Sequence, residues 1–312
     1  QTGRQEQDRP RQDATRQGVK GRFRHFAAID WSGAAGERHK GIAVALCREG
    51  SAAPVLVREG HRWSRAEVLG WLLDDLPSDT LVGMDLGMSL AFADAGAFFP
   101  GWAESPVFAR DLWRLVARLC AEEPHLAVGA FVDHPELARH FRRHGGREGD
   151  RFRLPGAADG RGRFRVTEQE QARLGCKPYS NFNLVGAAQV GKSSLSGMRL
   201  LHRMEGRLPV WPVDPLPAGG SVLVEIYTTI AAIAAGRSAT RSKIRDGADL
   251  DTALAALGSA PAGHRGAIDD HRSDALLTAA WLRANAGRAE LWAPALLTDA
   301  IARTEGWTFG CP

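Results

Sequence analysis

Apolar runs separated by short polar breaks predict three strands, a helix and a fourth strand in the first part of the chain. Short links, one of them 33–36 with two glycines, favour antiparallel pairing of the first three strands. Ser64-Arg65-Ala66-Glu67 has the form of a capping box, and the leucines after it recur at helical spacing until Pro77. The predicted strands span 26–31, 41–48, 54–58 and 81–85.

The rest of the chain predicts an irregular insert, a fifth strand and further helices. A strand is predicted at 221–227. Helices are predicted at 107–121, 135–144, 228–235, 250–257 and 269–284. We therefore expect an α/β domain over 25–312, with flanking helices and a mixed five-stranded sheet. The fourth and fifth strands should lie beside the first, and an insert at about 87–220 should cap the active edge.

Composition limits where the protein acts. The chain has 312 residues and 44% hydrophobic content, enough for a sizeable core. No apolar run reaches the roughly 18 residues of a membrane span, and no signal peptide is recognisable. The four cysteines are scattered without a CxxC pair, which favours a reducing cytoplasm over a disulfide framework or a zinc site.

Charge is unevenly distributed. Residues 1–24 carry seven basic and three acidic side chains, which accounts for the net charge of +4, and we expect them to form a disordered tail. Residues 139–173 hold ten arginines against five acids. That segment is either a solvated loop or a surface for a phosphate backbone, to which Arg163 and Arg165 would contribute.

Gly186-Ala-Ala-Gln-Val-Gly-Lys192-Ser193 matches the Walker A pattern, in which Lys192 would reach phosphate oxygens and Ser193 a magnesium ion. The context is poor, because residues 179–185 are not an apolar strand and Ser196 and Gly197 are weak helix formers. We favour a glycine-rich loop that leads into a helix, with Lys192 directed to solvent or to a substrate phosphate.

Acidic residues stand at the ends of predicted strands and at the start of the last helix. Asp30 and Asp85 each end a strand, and Glu225 lies near the end of a third. Asp270, His271 and Asp274 open the last helix, where spacings of three and four place side chains on one face. Converging carboxylates repel each other unless a cation lies among them, and Mg²⁺ or Mn²⁺ suits oxygen ligands.

Each of these acids also has a purely structural interpretation. Asp30 could form a turn before Gly33, Asp85 could cap the next segment, and Glu225 could pair with an arginine. Asp269 or Asp270 could be the N-cap of the last helix. Their shared position at strand ends favours the functional interpretation.

The order of elements resembles the ribonuclease H-like fold, and His271-Arg-Ser-Asp274-Ala275 is similar to a helix of RuvC-like nucleases. The pieces IDWSGA, GMDLGMSLAF, VGAAQVGKSSLSG, VEIY, DDHRSDAL and TEGW resemble the family called domain of unknown function 429, whose members are predicted nucleases of this fold. This resemblance implies metal ligands at Asp30, Asp85 and Asp274. The RuvC-like pattern has Glu where this chain has Asp85, so Glu225 could supply a ligand instead.

The hypothesis that follows is a magnesium- or manganese-dependent nuclease that hydrolyses nucleic acid with two metal ions. Asp30 would bridge the metals, Asp85 and Asp274 would complete their ligands, and His271 or Asp270 would orient the attacking water. Two alternatives stay open. One is a nucleotide-binding phosphotransferase on the same core, and the other is a non-catalytic nucleic-acid-binding module.

Overall fold

The computed structural model describes residues 19–154, 162–185 and 190–312. The described ranges do not include residues 1–18, 155–161 and 186–189. Most of the predicted tail and the first half of the Walker A match fall in these excluded segments. The end of that tail does not behave as predicted. Val19 and Phe23 are buried, and the Phe23 ring stacks on Trp292 with 5.9 Å between centroids.

The described residues form an α/β structure around a mixed six-stranded sheet. The strands are β1 (His25–Asp30), β2 (Ala43–Arg48), β3 (Val55–Leu56), β4 (Thr80–Asp85), β5 (Val210–Trp211) and β6 (Val222–Glu225). Their order in the sheet is β3-β2-β1-β4-β6-β5. β1 and β2 are antiparallel, as are β2 and β3, whereas β4 runs parallel to β1 and β6 parallel to β4.

Two features of the sheet correct the prediction. A sixth strand, β5, pairs in parallel with β6 at the edge, and two residues before a proline are too short to give a strand pattern. The predicted fifth strand is β6, and it lies beside β4 rather than beside β1.

Helices cover both faces of the sheet. The described helices are α1 (Arg65–Gly70), α2 (Ala109–Leu119), α3 (Gly129–Asp133), α4 (Val166–Arg173), α5 (Val190–Arg203), α6 (Thr228–Ala234), α7 (Gly247–Ala256), α8 (Asp270–Asn285) and α9 (Asp299–Thr304). A π-helical turn, Trp71–Asp75, extends α1, and short 3-10 turns occur at Pro124–Leu126, Leu137–His140, His144–Gly146, Ala239–Arg241 and Ala289–Leu291.

Local sequence rules explain where two of these helices start. Ser64 and Glu67 form the predicted capping box at α1, with the Ser64 amide 2.7 Å from a Glu67 carboxylate oxygen. Asp269 is the N-cap of α8 and accepts from the Arg272 amide. The helix predicted at 135–144 is wrong. The backbone of Arg142 bridges to Glu148 and Asn183 instead, and this extended pairing is incompatible with a helix.

Successive side chains of a strand point to opposite faces of the sheet, so the core forms two layers, one on each face. Ala27 and Ile29 of β1 pack with α1, α2 and α5, so that part of the insert covers one face. Phe26 and Ala28 pack with α6, α7 and α8 on the other face. The four cysteines all lie in described segments and are free and buried. Within the described ranges, no helix has the length and apolar content that crossing a membrane requires.

Candidate active site

Asp30 and Asp85 lie side by side at the carboxyl ends of two neighbouring strands. The parallel register of β1 and β4 pairs Asp30 directly with Asp85. Because side chains alternate along a strand, Asp30 shares the face of Phe26 and Ala28, which is the face that α8 covers. Two carboxylates thus meet at one edge of the sheet, under the start of α8.

A glycine brings α8 close to this edge. A Cβ atom on Gly83 would lie 2.8 Å from Leu282 Cδ1 and 2.7 Å from Ile226 Cγ2, both too close for a real contact. The absence of a side chain in β4 therefore lets α8 pack tightly across β1 and β4. The first turns of α8 are thereby held beside the two aspartates.

The first turns of α8 contribute His271 and Asp274 to the cluster. His271 Nδ1 lies 3.3 Å from Asp30 Oδ2. A carboxylate oxygen of Asp274 accepts a hydrogen bond from the Lys243 ammonium group, which comes from the segment before α7. Asp270 faces Arg245 at 3.4 Å and makes no hydrogen bond to the other described acids, but its charge acts on Asp30, His271 and Asp274. Of the predicted acidic cluster, the structure therefore brings together four side chains, those of Asp30, Asp85, His271 and Asp274.

Burial and mutual repulsion disfavour the charged forms of these carboxyl groups. Burial raises the pKa of Asp85 well above its ordinary value, and the neighbouring Asp30 charge raises it further. Burial also raises the pKa of Asp30 despite the opposing bond from His271. Burial, reinforced by Asp30, raises the pKa of Asp274 to about 6 although Lys243 opposes the shift. The charged forms of the three carboxyl groups are therefore unfavourable as they stand, and a bound cation would stabilise them.

Lys243 is the one member of this cluster that the sequence analysis missed. Burial lowers the pKa of its ammonium group, but Asp274, Asp30 and Asp85 together raise it above the ordinary value. The Lys243 side chain is 49% exposed, so it reaches the carboxylates from solvent. No sequence pattern distinguishes Lys243, because its partners are far away along the chain.

A cavity of about 410 Å³ opens over the cluster. Asp85, Lys243 and His271 line it from below, and the loop 31–34 after β1 forms one side. Residues of the insert complete the wall, among them Tyr179 and Ser193. This agrees with the expectation of an insert over the active edge.

Glu225 does not belong to the open cluster. One of its oxygens accepts from an Arg165 nitrogen at 2.6 Å and from the Thr308 hydroxyl. The other accepts from Arg165 at 2.8 Å and from the Met88 amide at 2.7 Å. Both oxygens are occupied by protein donors, so Glu225 corresponds to the structural interpretation, a glutamate paired with an arginine.

Arg163 and Arg165 belong to the interior rather than to the predicted phosphate-binding surface. Each is 2% exposed. Arg165 lies between Glu225 and Glu168, and Arg163 pairs with Asp94 and donates to the carbonyl oxygens of neighbouring loop residues. Since their donors are consumed inside the fold, neither guanidinium is free to bind a nucleic acid in this conformation.

Lys192 and Ser193 lie in the first turn of α5, next to the loop after β1. A Cβ atom on Gly33 would lie 2.3 Å from the Ser193 amide nitrogen, so the loop and the helix are in direct contact. The Ser193 hydroxyl donates to the Val190 carbonyl oxygen. Gly186–Gln189 lie outside the described residues, and no strand occurs among the described residues 176–185. The strand that a P-loop needs is therefore missing from that segment.

The donor set fits a hard cation in part. In the described part of the chain, no three His, Cys, Asp or Glu side chains form a ready-made metal group. The hydrogen bond seen at the Asp85 carboxylate is a long one of 3.5 Å from the Thr228 hydroxyl, so its oxygens remain free to bind a ligand in the cavity. Asp30 and Asp85 fit an oxygen-seeking divalent ion, whereas Asp274 is held by Lys243.

Comparison of the chain with protein-family models, curated proteins and solved structures gave no match.

Proposed function

We propose that the protein is a metal-dependent phosphodiester hydrolase that acts on nucleic acid. One observation carries this proposal: Asp30 and Asp85 are register neighbours on parallel strands, and a cavity lies over them that is lined by Asp85 and by His271, the contact of Asp30. Two desolvated carboxylates that lack sufficient protein donors are unfavourable, and function is the common reason for such an arrangement.

The fold supports the same class. Three antiparallel strands, a helix, two parallel strands and a final helix follow the order of a ribonuclease H-like core. We propose this fold for the chain, and with it membership of the family called domain of unknown function 429. A fold of this kind hosts more than one activity, so the site has to carry the functional argument.

Asp30 and Asp85 would hold Mg²⁺ or Mn²⁺, and Asp274 would join them once Lys243 releases it. A divalent ion bound there supplies a Lewis acid that stabilises charge on a phosphodiester. His271 contacts Asp30 and lines the cavity, so its ring can hold a water molecule and, in its neutral form, take a proton from it. The Lys243 ammonium can then approach the negative oxygens of the phosphate.

The Lys243–Asp274 ion pair favours a second candidate, a non-catalytic module that binds nucleic acid. In that case the ammonium group would take the place of the metal and balance the carboxylates permanently. Metal binding separates the two candidates, since a hydrolase needs an ion that the module does not. A nucleotide phosphotransferase on the same core would instead bind ATP.

The decisive experiment is Mn²⁺ calorimetry on wild type, Asp30→Asn and Asp85→Asn, followed by cleavage assays on labelled DNA and RNA. We expect wild type to bind Mn²⁺ and to cleave nucleic acid only with metal present. In each variant the Mn²⁺ affinity and the cleavage rate should both fall by about 100-fold or more. Asp111→Asn is the control, because Asp111 lies in an exposed ion pair with Arg114 on α2.

Wild-type protein that cleaves nothing with metal present would overturn the hydrolase. If wild type also bound no Mn²⁺, the module would be favoured. ATP binding that does not depend on metal would favour the phosphotransferase. Cleavage that persists in Asp30→Asn would show that this cluster is not the site.

A further inference from the structure

A second cavity, of about 330 Å³, adjoins the first one across the loop after β1. Gly33 and Ala34 line both cavities, and the first turn of α5 also borders both, with Ser193 in the first lining and Lys192 in the second. We call the second cavity the basic groove. The ionisable residues that line it are Arg65, Asp133, Arg143, His144, Arg147 and Lys192.

The groove carries a positive charge that the described residues leave unbalanced. Four arginine and lysine side chains line it against a single aspartate, and that aspartate pairs with Arg143 at 3.0 Å. Arg147 is exposed and Lys192 is partly exposed, and neither contacts a carboxylate among the described residues. Both are therefore free to contact an anion.

Two of the nearby guanidinium groups are buried, namely that of Arg65, which belongs to the lining, and that of Arg199, which does not. Arg65 is 2% exposed and donates to the carbonyl oxygens of Ser32, Ala34 and His125. Arg199 is 1% exposed and donates to the carbonyl oxygens of Glu123 and Ala127. Among the described residues neither forms an ion pair with a carboxylate, and carbonyl oxygens, with the more distant charge of Glu123 for Arg199, compensate these charges only in part. An anion in the groove would complete the compensation.

The acidic cluster explains why such a groove is needed. A nucleic-acid strand would be repelled by Asp30 and Asp85 if its other phosphates had no cationic contacts. Phosphate contacts supply most of the affinity in non-specific nucleic-acid binding and fix the position of the strand. Because Gly33 and Ala34 border both cavities, a strand that crosses this loop can contact both of them.

We propose that the basic groove binds the backbone phosphates of a nucleic-acid strand next to the phosphodiester that lies over Asp30 and Asp85. This deepens the proposed function and rests on it for the position of the reacting bond. Binding in the groove uses the cations alone and needs no metal, so it can be measured separately.

The test is fluorescence anisotropy with labelled single-stranded oligonucleotides of about 6 and about 12 nucleotides, in EDTA and at several KCl concentrations. We compare wild type with Arg147→Gln/Lys192→Gln. Loss of two phosphate contacts should weaken binding about 10-fold or more and reduce the salt slope by about 1.4. The longer oligonucleotide should bind more tightly to wild type, because it spans both cavities.

The matched control is Arg24→Gln/Arg207→Gln. Arg24 precedes β1, and Arg207 borders a cavity with Ser78 and Asp79 before β4, so both lie at the opposite end of the sheet. This control loses the same charge and should bind within about twofold of wild type. Thermal unfolding checks that both double variants are folded.

Equal weakening of oligonucleotide binding in both double variants would contradict the proposed role of the groove, since the effect would then come from net charge. Absence of oligonucleotide binding to wild type would overturn it as well. Displacement by millimolar inorganic phosphate without any length dependence would assign the groove to free phosphate instead of a strand. Mn²⁺ binding at Asp30 tests the proposed hydrolase independently, so the two can fail separately.

Discussion

Two buried ionic clusters lie beside the same cavity, and they differ in how well their charges are satisfied. In the first, Arg165 lies between Glu168 and Glu225, and each carboxylate oxygen has a donor within the protein. In the second, His271 contacts Asp30 and the Lys243 ammonium group donates to Asp274. The hydrogen bond seen at Asp85 is long. The first cluster is complete and the second is not.

This difference teaches which acids are structural and which are available for chemistry. Burial lowers the pKa of Arg165, but its two glutamates raise it above the ordinary value, so the guanidinium stays charged. Burial raises the pKa values of the aspartates in the second cluster, and Lys243 and His271 oppose these shifts only in part. Burial also raises the pKa of Glu168 to about 7, so the clusters differ in their hydrogen-bond donors rather than in the direction of these shifts. A complete cluster stabilises the fold, whereas an incomplete one costs stability and can bind a ligand.

The largest effect is expected from Arg165→Met. This change leaves Glu168 and Glu225 buried without their cation, and we expect a loss of about 3–5 kcal/mol in the free energy of unfolding, measured with urea. Adding Glu225→Gln should recover part of that loss, because the uncompensated charge is then removed. A loss below about 1 kcal/mol in Arg165→Met would contradict the structural role of this cluster.

A smaller effect is expected from Lys243→Met in metal-free protein. The aspartate cluster then lacks its ammonium group, and we expect a loss of about 1 kcal/mol, since the Lys243 side chain is 49% exposed. Mn²⁺ should raise the melting temperature of this variant more than that of wild type, because the ion no longer competes with the ammonium for Asp274.

Arg245→Gln is the control for Lys243. Arg245 lies two residues away, is 74% exposed and contacts Asp270 outside the cluster. Its replacement should change stability by less than about 0.5 kcal/mol and leave the Mn²⁺ response unchanged. A Mn²⁺ response in Lys243→Met no larger than that of wild type would show that the lysine and the metal do not share a position.

The sequence made the second cluster predictable and hid the first. The hydrophobic pattern predicts that Asp30 and Asp85 end strands, and the resemblance in the order of elements implies that the two strand ends meet. The bond from Arg165 to Glu225 joins residues 60 positions apart, and that from Lys243 to Asp274 joins residues 31 positions apart. Neither contact leaves a periodic trace, so Glu225 was grouped with the wrong acids and Lys243 was overlooked.

The same reasoning explains the errors in local structure. Val19 and Phe23 were assigned to the tail because charged residues surround them, yet they are buried against the second core layer. The helix at 135–144 failed because backbone pairing at Arg142 is set by residues that lie later in the chain. Capping at Ser64 succeeded because all its partners lie within four residues.

The smallest effect is expected from His271→Gln, and its pH dependence is informative. The hydrogen bond to Asp30 raises the pKa of His271 in the folded protein, although burial opposes the shift. A raised folded-state pKa contributes stability that is present below the unfolded value of about 6.5 and is lost as pH rises through the folded value. The side chain is 41% exposed, so screening should keep the contribution below about 1 kcal/mol.

The measurement is the difference in unfolding free energy between wild type and His271→Gln, in the absence of metal, from about pH 6 to about pH 8.5. We expect the wild-type advantage to shrink as pH rises, because the imidazolium that pairs with Asp30 is lost. In an Asp30→Asn background this trend should disappear or reverse, because burial then lowers the pKa of His271 and only the weaker influence of Asp270 opposes it. A pH trend that persists in that background would assign the raised pKa to charges other than Asp30, and the cluster would then be less tightly connected than the 3.3 Å contact indicates.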